Sequence, residues 1–497
     1  MENSNFDVLI VGAGLSGVGA AYHLQKKSPG TSYAILEARE AMGGTWDLFR
    51  YPGIRSDSDM HTLGFNFKPW EERKAIADGP AIRKYINDTA TENGIDKNIR
   101  YGHKVIRSSW DSAQARWTVE VEIDGKPQTL TCKFLHMCSG YYNYDHGYTP
   151  EFAGADDFKG TMVHPQLWPE DLDYSGKKVV VIGSGATAMT LVPAMTDKAA
   201  QVTMLQRSPT YVVSRPAEDK FALRLRKFLP GKLAYGLTRW RNVLMQLFFF
   251  NMARKRPEKV KEGILKQVRE ELGDDYDVDK HFTPSYNPWD ERLCLVPDGD
   301  LFEAIKSEKA VVVTDHIDTF VEGGIKLKSG DVLDADIIVT ATGLDLQFVG
   351  GMEVVVDGRV MVFGDLINYK GCMVSDIPNM VTVFGYTNAS WTLRADLTSE
   401  YMCRLVNLME KENYVEVRPV ADGVTADEDF LDFSSGYVQR AVSRFPKRGS
   451  EQPWVLNQNY AKDIMLMRHG KIDDGALVFR RAHESMANLA PAATAAE

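Results

Sequence analysis

The chain reads as an α/β protein with two doubly wound dinucleotide-binding domains and a helical insertion. Three observations predict this. A glycine fingerprint, Gly12-x-Gly14-x-x-Gly17, follows a short apolar strand and opens a helix. A second, Gly183-x-Gly185-x-x-Ala188, repeats the same order of elements. Between about 211 and 284 the sequence turns helical, with basic and apolar faces unlike either unit. Recurrence of a strand–turn–helix–strand unit is the pattern of two parallel-sheet domains.

In the first unit, Phe6–Val11 reads as a strand, Gly12–Gly17 as the turn, Val18–Lys26 as an amphipathic helix and Ser32–Leu36 as the second strand. Gly12 permits the tight turn, Gly14 lets a pyrophosphate approach the backbone, and Gly17 allows close helix–strand packing. Ser16 lies at the helix N-terminus, where N–H groups and the dipole favour phosphate. Glu37 stands 25 residues after Gly12 at the end of the second strand, placed for ribose hydroxyls. Gly43-Gly44-Thr45-Trp46 follows. Disulfide reductases of this architecture need a redox cysteine pair near here, yet no cysteine precedes Cys132, so dithiol chemistry is excluded. Trp46 reads either as a cofactor neighbour or as a plain core aromatic.

The second unit runs Lys178–Ile182, the turn Gly183–Ala188 with Ser184, Ala186 and Thr187 inside it, a helix to about Met195, and Gln201–Leu205. Where the first unit carries Glu37, this one carries Arg207, followed by Ser208. A carboxylate there would repel a 2′-phosphate, whereas a guanidinium binds it in bidentate fashion, so NADPH is expected over NADH. The alternative is a surface arginine at a strand end.

From Lys220 to Glu270 there are 14 Lys or Arg against 3 Glu, a local net of +11, in a chain whose total is −10. That asymmetry fits either an anionic partner or membrane surface, or a solvated helical face. The apolar cluster Val243–Phe250 belongs to a helix. After Pro284 strands return at Ala310–Thr314, Ile325–Leu327, Ile337–Ala341 and Val381–Phe384, with a helix over Ser399–Lys411. The expected division places 1–145 and 346–483 in the first domain, 146–210 and 300–345 in the second, 211–299 in the insertion, and 484–497 in a disordered tail.

An acidic chain of pI near 5.6 argues against a nucleic-acid partner. Five scattered cysteines without a Cys-x-x-Cys pair fit neither a disulfide framework nor a zinc site and suit a reducing cytoplasm. No metal is expected. Neither a signal peptide nor an apolar run long enough to span a membrane is seen.

Between the two fingerprints lies Phe158-Lys-Gly-Thr-Met-Val-His-Pro-Gln-Leu-Trp-Pro169. At Phe158, Gly160, His164, Trp168 and Pro169 it resembles the Phe-x-Gly-x-x-x-His-x-x-x-Trp-(Pro/Asp) fingerprint of the Baeyer–Villiger monooxygenases, a branch of the class B flavin monooxygenases. The resemblance extends over nearly the whole chain and is strongest to the ethionamide-activating branch. It is carried by Gly43–Leu48, Arg50–Asp59, Cys138–Tyr142, Tyr286–Asp290, Arg292–Pro297, Ala341-Thr342-Gly343 and Gly385–Trp391.

The resemblance implies FAD in the first domain and NADPH in the second, O2 as co-substrate and a ketone or thioether as substrate, with no obligate protein partner. It adds Gly44, Thr45, Trp46, Asp47, Arg55, Ser56, Asp57 and Val105 to the expected cofactor contacts. Arg292 is similar to the family's active-site arginine and Asp57 to the aspartate that holds it, though such a pair alone is equally a structural salt bridge. His164 is expected in a linker coupling the domains rather than at the reacting atom. One departure stands out: other branches carry a lysine just before the arginine, thought to help hold the NADP phosphate, and here that position is Glu291.

The family's chemistry runs through a C4a-peroxyflavin, which must stay deprotonated to attack a ketone. A permanently charged guanidinium favours that anion and the oxyanion of the adduct. Insertion of oxygen beside a ketone carbonyl, with oxidation of thioethers or thioamides beside it, is the expected activity. Mainly S- or N-oxygenation, or NADPH-dependent flavin reduction, are the alternatives.

Overall fold

The computed structural model describes residues 4–484, apart from Arg292, Asp427 and Asp432. Beyond Glu484 the expected tail lies outside the described residues.

β1 (Asn5–Val11), α1 (Leu15–Lys27) and β2 (Tyr33–Leu36) form the first unit. The helix begins three residues earlier than the sequence pattern suggests. Gly14 is already its N-cap, so Gly17 falls in the first helical turn rather than the loop. β1 lies parallel to β2 on one side and to a long strand on the other. That long strand closes an antiparallel meander of β3 (Lys104–Asp111), β4 (Arg116–Ile123) and β5 (Lys126–Met137). Strand Glu353–Val356 joins β3, and Met380–Thr382 joins β5, so a nine-stranded mixed sheet is assembled from both ends of the chain.

The second sheet is wholly parallel. It contains β6 (Thr161–Val163), β7 (Lys178–Ile182), β8 (Gln201–Gln206), β9 (Ala310–Thr314) and β10 (Ile337–Thr340), in the order β9-β8-β7-β10-β6. β7 sits centrally and is followed by α2 (Ala186–Met195), the doubly wound arrangement. β6 lies inside the Phe158–Pro169 stretch. The expected linker is therefore partly built into this domain as an edge strand. Phe158 packs edge-on to Phe320 with ring centroids 6.5 Å apart, and Trp168 is buried against the other face of the sheet.

The insertion is not all helix. Tyr211–Arg215 pairs in parallel with Leu293–Pro297, and between them run α3 (Lys220–Phe228), α4 (Gly231–Lys255) and α5 (Pro257–Leu272). One face of α4 is anchored on the first domain. Buried Arg239 donates to the carbonyls of His61 (2.9 Å), Thr62 (3.2 Å) and Gly64 (2.7 Å), and Asn242 Nδ2 donates to Asp59 Oδ1 at 2.9 Å.

The last long helix, α6 (Trp391–Glu412), packs along α1. It starts eight residues before the expected Ser399, because its first turns bury charged residues that a hydropathy pattern assigns to the surface. Arg394 pairs with Asp463, and Asp396 with His23 (3.0 Å) and Arg239 (3.6 Å). Buried charges persist only when paired in this way.

Candidate active site

A cavity of about 990 Å³ runs from the first fingerprint to the start of α2 and against the insertion. At its floor, Gly12 has φ +103°, and a Cβ there would stand 2.6 Å from the Cys138 carbonyl oxygen. Only glycine satisfies both conditions. A Cβ on Gly17 would stand 1.9 Å from the Gly12 carbonyl, which explains the third glycine as a packing requirement. Gly14 and Gly44 approach so closely that a Cβ on Gly44 would lie 3.0 Å from the Gly14 Cα. This bare backbone at a helix N-terminus is shaped for a pyrophosphate.

Glu37 closes the same end. Its carboxylate accepts from the Ala13 N–H at 2.8 Å and the Arg39 N–H at 3.0 Å, and burial pushes its pKa up against those hydrogen bonds. Each oxygen keeps a further lone pair for a ribose hydroxyl. Ser16 accepts from Trp391 Nε1 at 2.8 Å, and Trp391 in turn stacks on Tyr141 at 5.1 Å. Together with Trp46, Trp289 and Phe384 these rings give the cavity an aromatic wall suited to a planar ring system.

Toward the second domain, Ala186, Thr187 and Thr190 of α2 line the cavity. Thr187 bonds the Tyr51 hydroxyl, whose pKa is pushed up to about 12 by burial. Arg55 also lines the cavity, but its guanidinium is engaged across the domain boundary. It pairs with Asp300 through both nitrogens, one at 3.2 Å. Asp57 opens onto the cavity between these groups. Arg292 lies outside the described residues; Trp289 and Leu293, which flank it in sequence, line the same cavity as Asp57.

Among the expected contacts, Gly12, Gly14, Ser16, Glu37, Gly44, Thr45, Trp46, Arg55, Ser56, Asp57, Val105, Ala186 and Thr187 line this cavity. Gly17 sits behind it in α1. Asp47 does not line the cavity: it is buried, its carboxylate held by Arg39 at 2.8 Å, Arg50 at 2.7 Å and Arg83 at 2.9 Å. These bonds fix the Gly43–Leu48 turn beside the cavity.

Gly183, Ser184, Gly185, Ala188, Arg207 and Ser208 lie outside the cavity lining; Ala188 is buried in the core of the second domain, while Gly185, Arg207 and Ser208 are exposed. Gly183 has φ +137° and no room for a Cβ beside the Ala341 carbonyl, whereas Gly185 faces open space. Ser184 Oγ donates to the Ser208 carbonyl at 3.0 Å, tying the turn to the end of β8. Arg207 and Ser208 are exposed just past the end of β8. Glu291 is Arg207's neighbour. Burial pushes its carboxyl up while the Arg207 charge pulls it down.

His164 stands away from the cavity. Its Nδ1 accepts from the Gln166 N–H at 3.2 Å, which leaves Nε2 to donate to the Gly343 carbonyl at 3.2 Å. Burial lowers its pKa and keeps it neutral, as this tautomer requires. Gly160 has no space for a Cβ, which would stand 2.4 Å from the Asp336 carbonyl.

Sequence reasoning did not assign Ser139, Gly140 and Tyr141 after β5, Asn388 and Trp391, Leu431 and Tyr437, or Gln246 and Met252 of α4 to the site, while Phe249 falls in the Phe248–Phe250 run that reads either as an apolar entry or as plain packing. The first two groups fall in segments whose resemblance was noted. The α4 residues carry no chemical signature at all. Among the described residues no group of His, Cys, Asp and Glu could hold a metal ion, and the five cysteines are free and buried.

The family described as flavin-binding monooxygenase-like matches residues 70–262, and the NAD(P)-binding Rossmann-like domain matches residues 10–78. The FAD-containing monooxygenase EthA of Mycobacterium tuberculosis (strain ATCC 25618 / H37Rv) is 56% identical over 481 residues, covering 96% of this chain and 98% of its own. The chain belongs to the FAD-containing class B flavin monooxygenases. The monooxygenase is also 49% identical over 486 residues to the probable FAD-binding monooxygenase AlmA of Acinetobacter baylyi, covering 97% of each chain. In fold it is similar to an oxidized steroid monooxygenase bound to NADP (TM-score 0.75, 21% identity, 96% and 100% of the two chains) and to cyclohexanone monooxygenase in an open crystal structure (0.75, 18%, 96% and 100%).

Proposed function

We propose that the monooxygenase holds FAD against Gly12–Glu37 and NADPH against the second unit, and inserts one oxygen atom beside a ketone carbonyl. The balance is ketone plus O2, NADPH and a proton to ester, NADP+ and water. Thioethers or thioamides are secondary substrates. The observation that carries this reading is the single cavity: the pyrophosphate cradle, the first turn of α2 and Asp57 all face one aromatic-walled space.

When bound, the flavin supplies hydride acceptance and oxygen activation. Glu37 holds ribose hydroxyls. Trp289, Trp391 and Tyr141 exclude water from the reacting atoms. Arg292, oriented by Asp57 through a charge-assisted bond, keeps negative charge on the attacking oxygen and stabilises the oxyanion formed at the substrate carbonyl.

Product analysis with a linear ketone and a thioether, in NADPH and air, tests this. Arg292→Ala is expected to lower ester formation by about 10²–10³, the range for losing one oxyanion-stabilising group, while NADPH oxidation continues. Ester yield that survives the change would overturn the role of Arg292. Sulfoxide without ester would make sulfur oxidation the main activity, and hydrogen peroxide as sole product would identify a flavin reductase.

A further inference from the structure

The anchored face of α4 leaves the opposite face to solvent, and that face is apolar. Leu233, Leu237, Trp240, Leu244 and Phe248 recur at intervals of four, three, four and four residues, which places them on one stripe. Leu244 is 58% exposed and Phe248 62%; at the end of α3, Phe228 is 79% exposed. Between Lys232 and Arg254 the only charged residues are Arg239 and Arg241. Arg239 is buried, and Arg241 folds back onto Asp219 and over the Phe221 ring at 4.3 Å. For about five turns α4 thus shows solvent one charge, the partly exposed Arg241, and that one is paired with Asp219.

Both ends of the stripe are basic. Lys220, Arg224, Lys227 and Lys232 are exposed at one end, and Lys255, Arg256 and Lys259 at the other. They belong to the Lys220–Glu270 segment of net +11 in a chain of net −10. A soluble surface helix has its apolar stripe inward; here a second stripe faces outward between two positive collars.

We propose that α3 and α4 dock the monooxygenase on an anionic lipid surface, with the stripe in the acyl boundary and the basic collars among the headgroups. Trp240 sits mid-stripe, a residue suited to the interface. No helix among the described residues is long and apolar enough to cross a membrane, so α4 lies in the plane of the surface. A second face of the same helix turns Gln246, Phe249 and Met252 into the cavity, and α5 adds Val260 and Ile264. One helix therefore has a face toward the lipid and another toward the reaction chamber, and lipid-soluble ketones or thioethers are the substrate class this favours. The substrate class rests on the proposed function; the docking does not.

Flotation of the FAD-loaded enzyme with vesicles tests the docking without reference to activity. Binding is expected to vesicles of phosphatidylcholine with phosphatidylglycerol, to weaken as salt is raised, and to be much weaker with phosphatidylcholine alone. The triple variant Leu237→Gln/Trp240→Gln/Leu244→Gln, none of which lines the cavity, is expected to lose about 100-fold in partitioning, from the apolar area it withdraws. It should retain wild-type turnover of a short water-soluble substrate. Absence of vesicle binding by the wild type would overturn the proposal, as would equal binding by the triple variant. Dimerisation of the wild type that the triple variant abolishes, without vesicle binding, would assign the stripe to a second copy of this chain and also overturn it. If vesicles bind but no ester forms from any ketone, the proposed reaction fails while the docking stands.

Discussion

His136 makes the stability of the first domain depend on acid. It lies fully buried in β5, opposite Ile10 of β1 and Val381 of the strand Met380–Thr382. Neither ring nitrogen has a hydrogen-bond partner. Burial, and then the nearby His23, push its pKa down from 6.5 to about 3. The unfolded chain takes up this proton near the ordinary histidine value, whereas the folded chain refuses it until far lower pH. Stability is therefore lost as pH falls through the interval between the two values, and this group adds no further loss below it. Integrated, the cost is about 1.4 kcal/mol at pH ~5.5 and about 2.7 kcal/mol at pH ~4.5 relative to neutral pH. His136→Leu keeps the bulk of the side chain and removes the titration. Urea unfolding of the FAD-loaded enzyme, followed by tryptophan emission and flavin release, is expected to show wild type losing that much more stability than the variant at each pH. The same domain carries the Gly12 cradle one residue beyond β1, so flavin should be released with the same pH dependence. Parallel loss of stability in wild type and His136→Leu would refute the reasoning.

Two further outcomes concern the cofactors. Glu291→Gln removes a carboxylate beside Arg207, and for a partly exposed pair the screened repulsion is worth about 0.5–1 kcal/mol, so the KM for NADPH should fall about two- to five-fold while that for NADH stays put. An equal change for both cofactors would show that Glu291 does not act on the 2′-phosphate. His164→Ala removes the bond to the Gly343 carbonyl and is expected to lower product formed per NADPH oxidised; an unchanged ratio would exclude a coupling role.

The first fingerprint was legible because its spacing is local, with Gly17 answering to Gly12 and Glu37 following at the end of the next strand, although Gly12 and Gly14 also meet Cys138 and Gly44 far along the chain. Arg55 and Asp47 show where that reading stops. Both are charged residues in motif segments, yet Arg55 reaches Asp300 in the other domain and Asp47 collects three arginines, contacts that no spacing along the chain encodes. The start of α6 was hidden for the same reason, since Arg394 and Asp396 are core residues only because Asp463, His23 and Arg239 meet them there. The meander of β3 to β5 went unread although Arg116–Ile123 alternates and Asp124-Gly125 marks its turn, a hairpin signal overshadowed by the glycine motifs. The Phe158–Pro169 stretch looked like a connector because its strand is only three residues long.

That short strand bears on how the two halves of the molecule can move. The chain leaves the first domain along Tyr142–Gly147 and returns to it along Leu344–Leu346, and these two crossings pair antiparallel with each other. His164, just past β6, reaches across to the Gly343 carbonyl on the returning strand, and its ring lies where any side chain on Gly147 of the outgoing strand would stand. Two loose tethers would let the second domain tumble. Two strands zipped together and pinned by one imidazole leave a single axis about which any relative turning of the domains would have to run.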